Sequence, residues 1–282
     1  MAAEAIRIMV LAVFNHDEIY DEFYKLNMEY LDALKAMRPH VYENIRFYYV
    51  VADPGYDSAC GAQVDESSRM ITVNGTESWC PGILDKTIKV LRHVNDLRER
   101  NDKTGFKYDY VLRTNASTFI NFELLYNEML ELHAWNSVPY RNYKYVAMGH
   151  ISVLQCGNDR YGLTEQAMQL YMGEKFFQGV CIIMNAALVS ELVRHAQTRI
   201  NLNVVDDVEI GRFIWSLPST PDELYTKDIS DRMLSYYQYN PSNPYIFCNN
   251  RFKANRYSDL DCFRSVAEMH TNKLINNLNT TL

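Results

Sequence analysis

The sequence predicts an α/β fold in which a mixed, mainly parallel sheet is flanked by helices, in a single domain with a C-terminal wrapping segment. Short apolar runs typical of strands alternate with longer segments whose apolar residues recur at helical spacing. This alternation is typical of parallel sheets that are covered on both faces. The chain has 282 residues, of which 48% are hydrophobic, and is therefore long enough to bury one large core.

Six apolar runs predict the strands of the sheet. The first run, 6–14, is too short to span a bilayer and is followed by charged residues, so we interpret it as a core strand. No other segment predicts an integral membrane span. The six predicted strands are 6–14, 45–52, 69–73, 108–113, 144–149 and 179–184.

Apolar residues at spacings of three and four predict the helices. The clearest case is 17–37, which we expect to end before Pro39. The apolar face of this helix consists of Ile19, Phe23, Leu26, Tyr30, Leu34 and Met37. The other predicted helices are 82–99, 122–134, 186–198 and 208–216.

The region after Pro218 has a different composition, because it is rich in Tyr, Asn and Pro and has weak periodicity. We interpret 218–282 as loops, short strands and a terminal tail that packs on a core formed by 1–217. We expect no nucleic-acid partner, because the net charge is -7 and no Lys/Arg block exceeds two adjacent residues. The motifs GxGxxG and GxxxxGK[ST] are absent, which disfavours dinucleotide enzymes and P-loop NTPases.

The six cysteines form no CxxC pair, which disfavours a zinc site. Because no leader segment is recognised, we expect free thiols in a reducing compartment and a soluble, cytoplasmic protein. The cysteines are Cys60, Cys80, Cys156, Cys181, Cys248 and Cys262.

The segment 108–121 is the most informative part of the chain. Apolar Val111 and Leu112 run into the polar turn 113–117, and apolar periodicity resumes from Phe122. In α/β proteins, ligands bind just outside the carboxyl ends of strands. We therefore expect a ligand site at this turn.

Four blocks in order resemble the galactosyltransferase/Fringe-like group of GT-A fold glycosyltransferases, over roughly residues 70–215. They are ESW with LDKTIKVL in 77–91, YDYVLRTNASTFIN in 108–121, FFQGVCIIMN in 176–185 and DDVEIG in 206–211. Each block alone is a weak indicator of the family, whereas the four blocks in this order are a more specific one. The sequence also resembles soluble sugar transferases that large algal viruses encode.

The resemblance implies an inverting glycosyltransferase with a GT-A catalytic core in 1–217. Residues 1–121 would form its nucleotide-sugar half, 122–217 its acceptor half, and 218–282 a C-terminal extension. The implied partners are a UDP-linked sugar donor and the hydroxyl of a glycan acceptor. The viral similarity implies a pentose such as xylose and a location in the host cytoplasm.

One departure from the family concerns its aspartate triplet, which aligns with Asn115-Ala116-Ser117. In the family, the outer carboxylates hold a divalent cation against the donor diphosphate, and Mg²⁺ or Mn²⁺ favours anionic oxygen ligands. Three alternatives follow from neutral Asn115 and Ser117. The enzyme binds its donor without metal, or it binds metal weakly through Asn115, Ser117 and His270, or the site is inactive.

Carboxylates and cations are the residues that sugar transfer requires. By position in the acidic motif we choose Asp207 as general base, with Asp206 as the rival, and the alternative role is an N-cap pair. Arg113 and Lys86, together with Arg251 in the metal-free case, are candidate phosphate partners. The alternative for Arg113 and Lys86 is a surface ion pair.

Donor binding is also predicted at the ends of other strands. Val13 and Asn15 would present backbone groups to a uracil edge, and Asp53 would hold base or ribose unless it only forms a turn before Pro54. Asn115 and Ser117 would bind ribose or diphosphate, with simple turn formation as the alternative.

Acceptor binding is expected at Gln178 and Gly179, since glycine permits close approach. Trp79 and Trp215 are candidate sugar platforms, and burial in the core is the favoured interpretation of both. The rival function is a non-catalytic nucleotide-sugar or glycan-binding protein on a decayed transferase fold. A nucleotidyltransferase is disfavoured because no Gly-rich loop follows Phe14.

Overall fold

The structure is a computed structural model that describes ten stretches of the chain. They are 5–15, 17–57, 61–100, 106–138, 141–155, 169, 171–217, 223–234, 245–249 and 256–279. Arg251, Cys60 and Cys156 lie outside the described residues.

Strands and helices alternate along most of the chain. The strands are β1 (Ile8–Val13), β2 (Ile45–Asp53), β3 (Ala62–Asp65), β4 (Met70–Asn74), β5 (Tyr110–Asn115), β6 (Thr118–Ile120), β7 (Tyr145–Val153), β8 (Lys175–Asn185), β9 (Leu224–Asp228), β10 (Met233–Leu234) and β11 (Phe247–Asn249). The helices are α1 (Glu18–Met37), α2 (Pro39–Glu43), α3 (Gly82–Glu99), α4 (Phe122–Asn136), α5 (Ala186–Arg199), α6 (Asp206–Trp215) and α7 (Arg256–Asn279). The six predicted strands and the five predicted helices are confirmed, with small shifts at their ends.

Eight strands form the main sheet in the order β3-β4-β2-β1-β5-β8-β7-β9. Strands β1, β2, β4 and β5 run parallel, whereas β3 and β8 run against their neighbours. The predicted mixed, mainly parallel sheet flanked by helices is therefore confirmed. A small second sheet joins β10, β11 and β6.

The register of the central strands sets the position of the site. Val13, at the end of β1, pairs with Val50 of β2 on one side and with Asn115 of β5 on the other. Parallel neighbours end at the same edge of a sheet, so the polar residues after β1 and β5 meet there.

Alternation along β1 divides the core into two layers. Ile8 and Val10 pack in a layer that includes residues of α1, α4 and α7. Met9 and Leu11 point to the opposite face, where the layer includes residues of α3, α5 and α6. Successive side chains of a strand point to opposite faces, so a strand covered on both sides is apolar throughout.

The interpretation of the C-terminal region as loops, short strands and a tail is wrong for 256–279, which form helix α7. This helix packs on α1, and the rings of Phe23 and Phe263 lie 5.0 Å apart. No helix in the described stretches is both long enough and apolar enough to cross a membrane.

Helix α6 lies unusually close to strand β8. A Cβ atom on Gly211 would lie 2.5 Å from the Cα of Phe176 and 3.1 Å from the carbonyl oxygen of Lys175. These neighbours are backbone atoms that cannot rotate away. The absence of a side chain at 211 is therefore what lets α6 dock on the strand.

Gly211→Ala should destabilise the protein, although alanine normally favours a helix interior by about 1 kcal/mol over glycine. Overpacking against the β8 backbone opposes this gain and costs about 1–3 kcal/mol. Urea denaturation of the variant and the native protein measures the difference. A variant as stable as the native protein, or more stable, would contradict the close packing of α6.

Candidate functional site

A cavity of about 220 Å³ opens at the sheet edge where β1 and β5 end, beside the start of α3. Five of the predicted donor-binding residues, Val13, Asn15, Lys86, Asn115 and Ser117, line this cavity. The full lining consists of Val13, Phe14, Asn15, Tyr20, Glu77, Ser78, Trp79, Ile83, Lys86, Asn115, Ala116 and Ser117.

The turn after β5 is held against the end of β1. The backbone N–H of Ala116 donates to the carbonyl oxygen of Val13 at 3.0 Å. Asn121 then caps helix α4, because its side chain accepts from the N–H of Leu124 at 3.2 Å. Backbone bonding on both sides of the turn fixes Asn115 and Ser117 at the cavity wall.

Lys86 enters the cavity wall from α3 and is 1% exposed. Its ammonium group donates to the carbonyl oxygen of Phe14 at 2.6 Å and forms an ion pair with Glu77. Glu77 also accepts from the N–H of Ala52 at 2.5 Å. Burial lowers the pKa of Lys86, and the Glu77 carboxylate opposes that effect. The alternative of a surface ion pair is wrong, since this pair faces the cavity and the lysine is buried.

Arg113 joins the turn to the acidic motif. Its guanidinium lies 2.6 Å from a carboxylate oxygen of Asp206, and both side chains are buried. The same guanidinium donates to the Oδ1 atom of Asn115 at 3.0 Å and to the carbonyl oxygen of Gly179. The surface alternative is therefore wrong for Arg113 as well. Three separate parts of the sequence meet at this one side chain.

Asp207 is half-buried at the start of α6 and accepts from the N–H of Gly179 at 3.1 Å. Burial and the neighbouring Asp206 carboxylate raise the pKa of Asp207 to about 6, although Arg113 and backbone N–H groups act in the opposite direction. The N-cap residue of α6 is Val205 rather than either aspartate, but Asp207 does accept from a backbone N–H at the helix start, that of Val208 at 2.9 Å.

The predicted acceptor residues lie beside this carboxylate rather than in the cavity lining. A Cβ atom on Gly179 would lie 2.7 Å from a guanidinium nitrogen of Arg113 and 3.5 Å from a carboxylate oxygen of Asp207. The side-chain amide of Gln178 donates to the hydroxyl of Ser152 at 3.0 Å. Glycine at 179 therefore leaves room for the Arg113 guanidinium, and the predicted approach of an acceptor at this position stays a prediction.

The structure does not bring Asp53 or His270 into the cavity lining. Asp53 is exposed, and its side chain accepts from the N–H of Gly55 at 2.8 Å, as in a simple turn. His270 stacks on Phe119 at 5.1 Å between ring centroids. One ring nitrogen of His270 lies 3.5 Å from the Asn121 amide and the other 3.3 Å from the Tyr245 hydroxyl. Burial lowers the pKa of His270 to about 4.

The divalent cation that the sequence resemblance implies does not fit the residues present. Asn115 and Ser117 are neutral, and the Asn115 side-chain oxygen already accepts from Arg113. A guanidinium beside this oxygen repels a divalent cation, which would need anionic ligands. Among the described residues, no group of three His, Cys, Asp or Glu side chains is arranged to hold a metal.

Some site residues were not predicted from the sequence. Glu77 belongs to a quoted motif, but its pairing with Lys86 depends on a loop that brings the two together. Tyr20 and Ile83 line the cavity, but each lies within a predicted helix and in no motif. The core interpretation of Trp79 is wrong, since the side chain is 56% exposed and lines the cavity. Trp215 is half-buried, and its ring centroid lies 4.7 Å from that of Phe177.

Known proteins show little similarity to this chain. No protein-family model matches the chain, and no curated protein matches its sequence. Among solved structures, the chain is similar to a glycosyltransferase involved in the glycosylation of the major capsid of PBCV-1. The two are 10% identical with a TM-score of 0.47, and the match covers 91% of this chain and 98% of that chain. At this identity and TM-score, the similarity does not determine the function of this chain.

Asp207→Asn should stabilise the protein at neutral pH and not in acid. The pKa of this carboxyl is about 6 in the folded chain, against about 3.9 when unfolded. Ionisation therefore favours the unfolded state, and the native protein loses stability as pH rises from about 4 to about 6. The melting temperature of the variant should exceed the native value above about pH 6, and the difference should shrink towards about pH 4.

Asp32→Asn, on the exposed face of α1, serves as a matched control for the loss of one negative charge. A melting-temperature difference for Asp207→Asn that is constant over this pH range would contradict the raised pKa.

Proposed function

We propose that this protein is an inverting glycosyltransferase that moves a sugar from a UDP-linked donor to a hydroxyl group of a glycan. One observation carries the proposal. Arg113 joins Asn115 of the cavity wall to Asp206, next to a carboxyl group whose pKa lies near 6. The cavity wall and the proposed base therefore belong to one hydrogen-bonded network, which supports a role for both in one reaction.

The base that we propose is Asp207. In an inverting reaction, its carboxylate accepts the proton of the acceptor hydroxyl while that oxygen attacks the anomeric carbon. The bond between this carbon and the phosphate oxygen breaks, and the nucleoside diphosphate leaves with the electron pair. A pKa of about 6 suits this role, because the carboxylate is ionised at neutral pH yet more basic than an ordinary aspartate. Asp206, bound to Arg113, acts as a positioning residue.

Cations of the chain offset the charge of the leaving diphosphate in this proposal. Lys86 lines the cavity directly, and Arg113 lies behind Asn115. The amide nitrogen of Asn115 is buried and has no hydrogen-bond partner among the described residues, so it can donate to a phosphate oxygen. Charge-assisted hydrogen bonds of this kind are stronger than neutral ones. No step of this proposal passes through a metal ion.

The proposal extends to the sugar that is transferred. We propose a pentose such as xylose, which rests only on the viral resemblance suggested in the sequence analysis. On the same basis we propose action in the host cytoplasm. Transfer assays with a panel of UDP-sugars identify the donor.

One observation favours the rival, a non-catalytic nucleotide-sugar or glycan-binding protein. Both cations of the site are already paired, Lys86 with Glu77 and Arg113 with Asp206. A paired cation offers less net charge to a leaving group than a free one. Binding of UDP-sugars without hydrolysis or transfer for any donor in the panel would support this rival.

Asp207→Ala should lower transfer by about 10²–10⁴-fold while leaving donor affinity nearly unchanged, because a general base contributes about that factor. In the native enzyme, kcat/KM should fall as pH drops through about 6, since protonation removes the base. Initial-rate assays across pH and UDP calorimetry measure both effects. Asp206→Asn serves as the comparison for the rival base, and full activity of Asp207→Ala would exclude Asp207 from the mechanism.

UDP binding should be the same in EDTA as in manganese, because the site offers cations and neutral donors rather than metal-holding acids.

Lys86→Met should weaken UDP binding by about tenfold or more and leave uridine binding nearly unchanged, since a hydrogen bond to a charged group contributes about 1.5–3 kcal/mol.

The double variant Lys86→Met/Glu77→Gln serves as the control, because it removes the acid that the single variant leaves without its cation. Calorimetry with UDP and uridine measures both variants. UDP binding that appears only when manganese is present would contradict the metal-free site.

A further inference from the structure

The cavity has two chemically different parts. Tyr20, Trp79 and Ile83 give it aromatic and apolar walls, whereas the Lys86–Glu77 ion pair and Asn115 give it a charged and a polar wall. Ile83 and Lys86 lie one turn apart on α3, about 4.5 Å along the helix axis. The apolar and cationic parts are therefore neighbours, as the base and phosphates of a nucleotide are.

Trp79 is the largest exposed surface of the apolar part. Its side chain is 56% exposed, and it lies in the loop between β4 and α3. The backbone beside it is held by Ser78, whose hydroxyl accepts from the N–H of Gly82 at 2.9 Å. The carbonyl oxygen of Ser78 accepts from the N–H of Ile83 at 3.0 Å. An accessible indole on a fixed loop is suited to stacking against a flat ligand.

The position of Asp207, the proposed general base, indicates which end of the donor the cavity binds. Asp207, Gln178 and Gly179 do not belong to the cavity lining, although the transferred sugar must reach Asp207. The cavity volume of about 220 Å³ is also below the roughly 300–1,000 Å³ of pockets that enclose whole ligands. With Asp207 as the proposed general base, the sugar would lie outside the cavity and the nucleoside end inside it.

We infer that Trp79 stacks on the uracil ring of the donor and thereby sets much of its affinity. This inference rests on the proposed function, which it extends by assigning the nucleobase to the aromatic part of the cavity. The diphosphate then lies towards Lys86 and Asn115, and the sugar emerges towards Asp207. Because every base has a π face, stacking adds affinity without selecting uracil over other bases.

Tryptophan fluorescence tests the contact directly, because the chain has only three tryptophans. Trp135 packs between Tyr143 and Tyr225, and Trp215 packs on Phe177, so both lie away from the cavity lining. UDP should quench the fluorescence of the native protein and of Trp135→Phe. The quench should disappear in Trp79→Phe, even though that variant still binds UDP.

Calorimetry with UDP, uridine and pyrophosphate gives the energetic test. Trp79→Ala should weaken UDP and uridine binding by about tenfold, whereas Trp79→Phe, which keeps an aromatic face, should stay within about threefold of the native affinity. Pyrophosphate affinity should not change in either variant. In transfer assays, Trp79→Ala should raise the KM for the donor and leave kcat nearly unchanged.

Two results would overturn the inference while leaving the proposed function intact. One is native UDP affinity in Trp79→Ala. The other is a loss confined to UDP-sugars with UDP itself unaffected, which would place Trp79 against the transferred sugar. A native protein that binds neither UDP nor UDP-sugars would overturn the proposed function together with this inference. Tyr257→Ala, at an exposed aromatic residue of α7, is the control for nonspecific effects.

Discussion

The buried ion pair between Arg113 and Asp206 is the interaction on which the site depends. It joins β5 to α6, and the same guanidinium reaches the carbonyl oxygen of Gly179 on β8. Breaking a buried pair by removing one partner costs about 3–5 kcal/mol, because a charge is left without compensation. The position of Asp207 relative to the cavity is therefore fixed by electrostatics within the core rather than by a loop.

Much of the fold could be predicted because it depends on local patterns. The strand ends at Val13 and Asn115 were predictable as site positions, since parallel strands end at a common edge. Helix α7 was missed although Leu260, Phe263, Ala267 and Leu274 are buried at spacings of three, four and seven. More than half of its 24 residues are polar, and the segment before it is rich in Tyr, Asn and Pro. The exposure of Trp79 and the pairing of Glu77 with Lys86 depend on loop paths that no local pattern determines.

Asn115 and Ser117 put neutral side chains at the end of β5, where the resemblance noted in the sequence implies acids. In a site whose acids hold a metal ion, that ion supplies the positive charge for the diphosphate. Here the positive charge belongs to Lys86 and Arg113, and each is stabilised in the apoprotein by its own acid. Burying cations requires such partners. Glu77 and Asp206 therefore stabilise the buried charges of Lys86 and Arg113.

Helix α7 has a consequence for how the molecule can be divided. Phe119 lies two residues after the turn 113–117, and its ring contacts both Phe263 and His270 of α7. Phe23 of α1 packs on the same Phe263. A fragment truncated before α7 would leave these aromatic faces in water and the turn unsupported. Helix α7 is thus part of the packing that supports the turn at the cavity, rather than an appendage that can be removed.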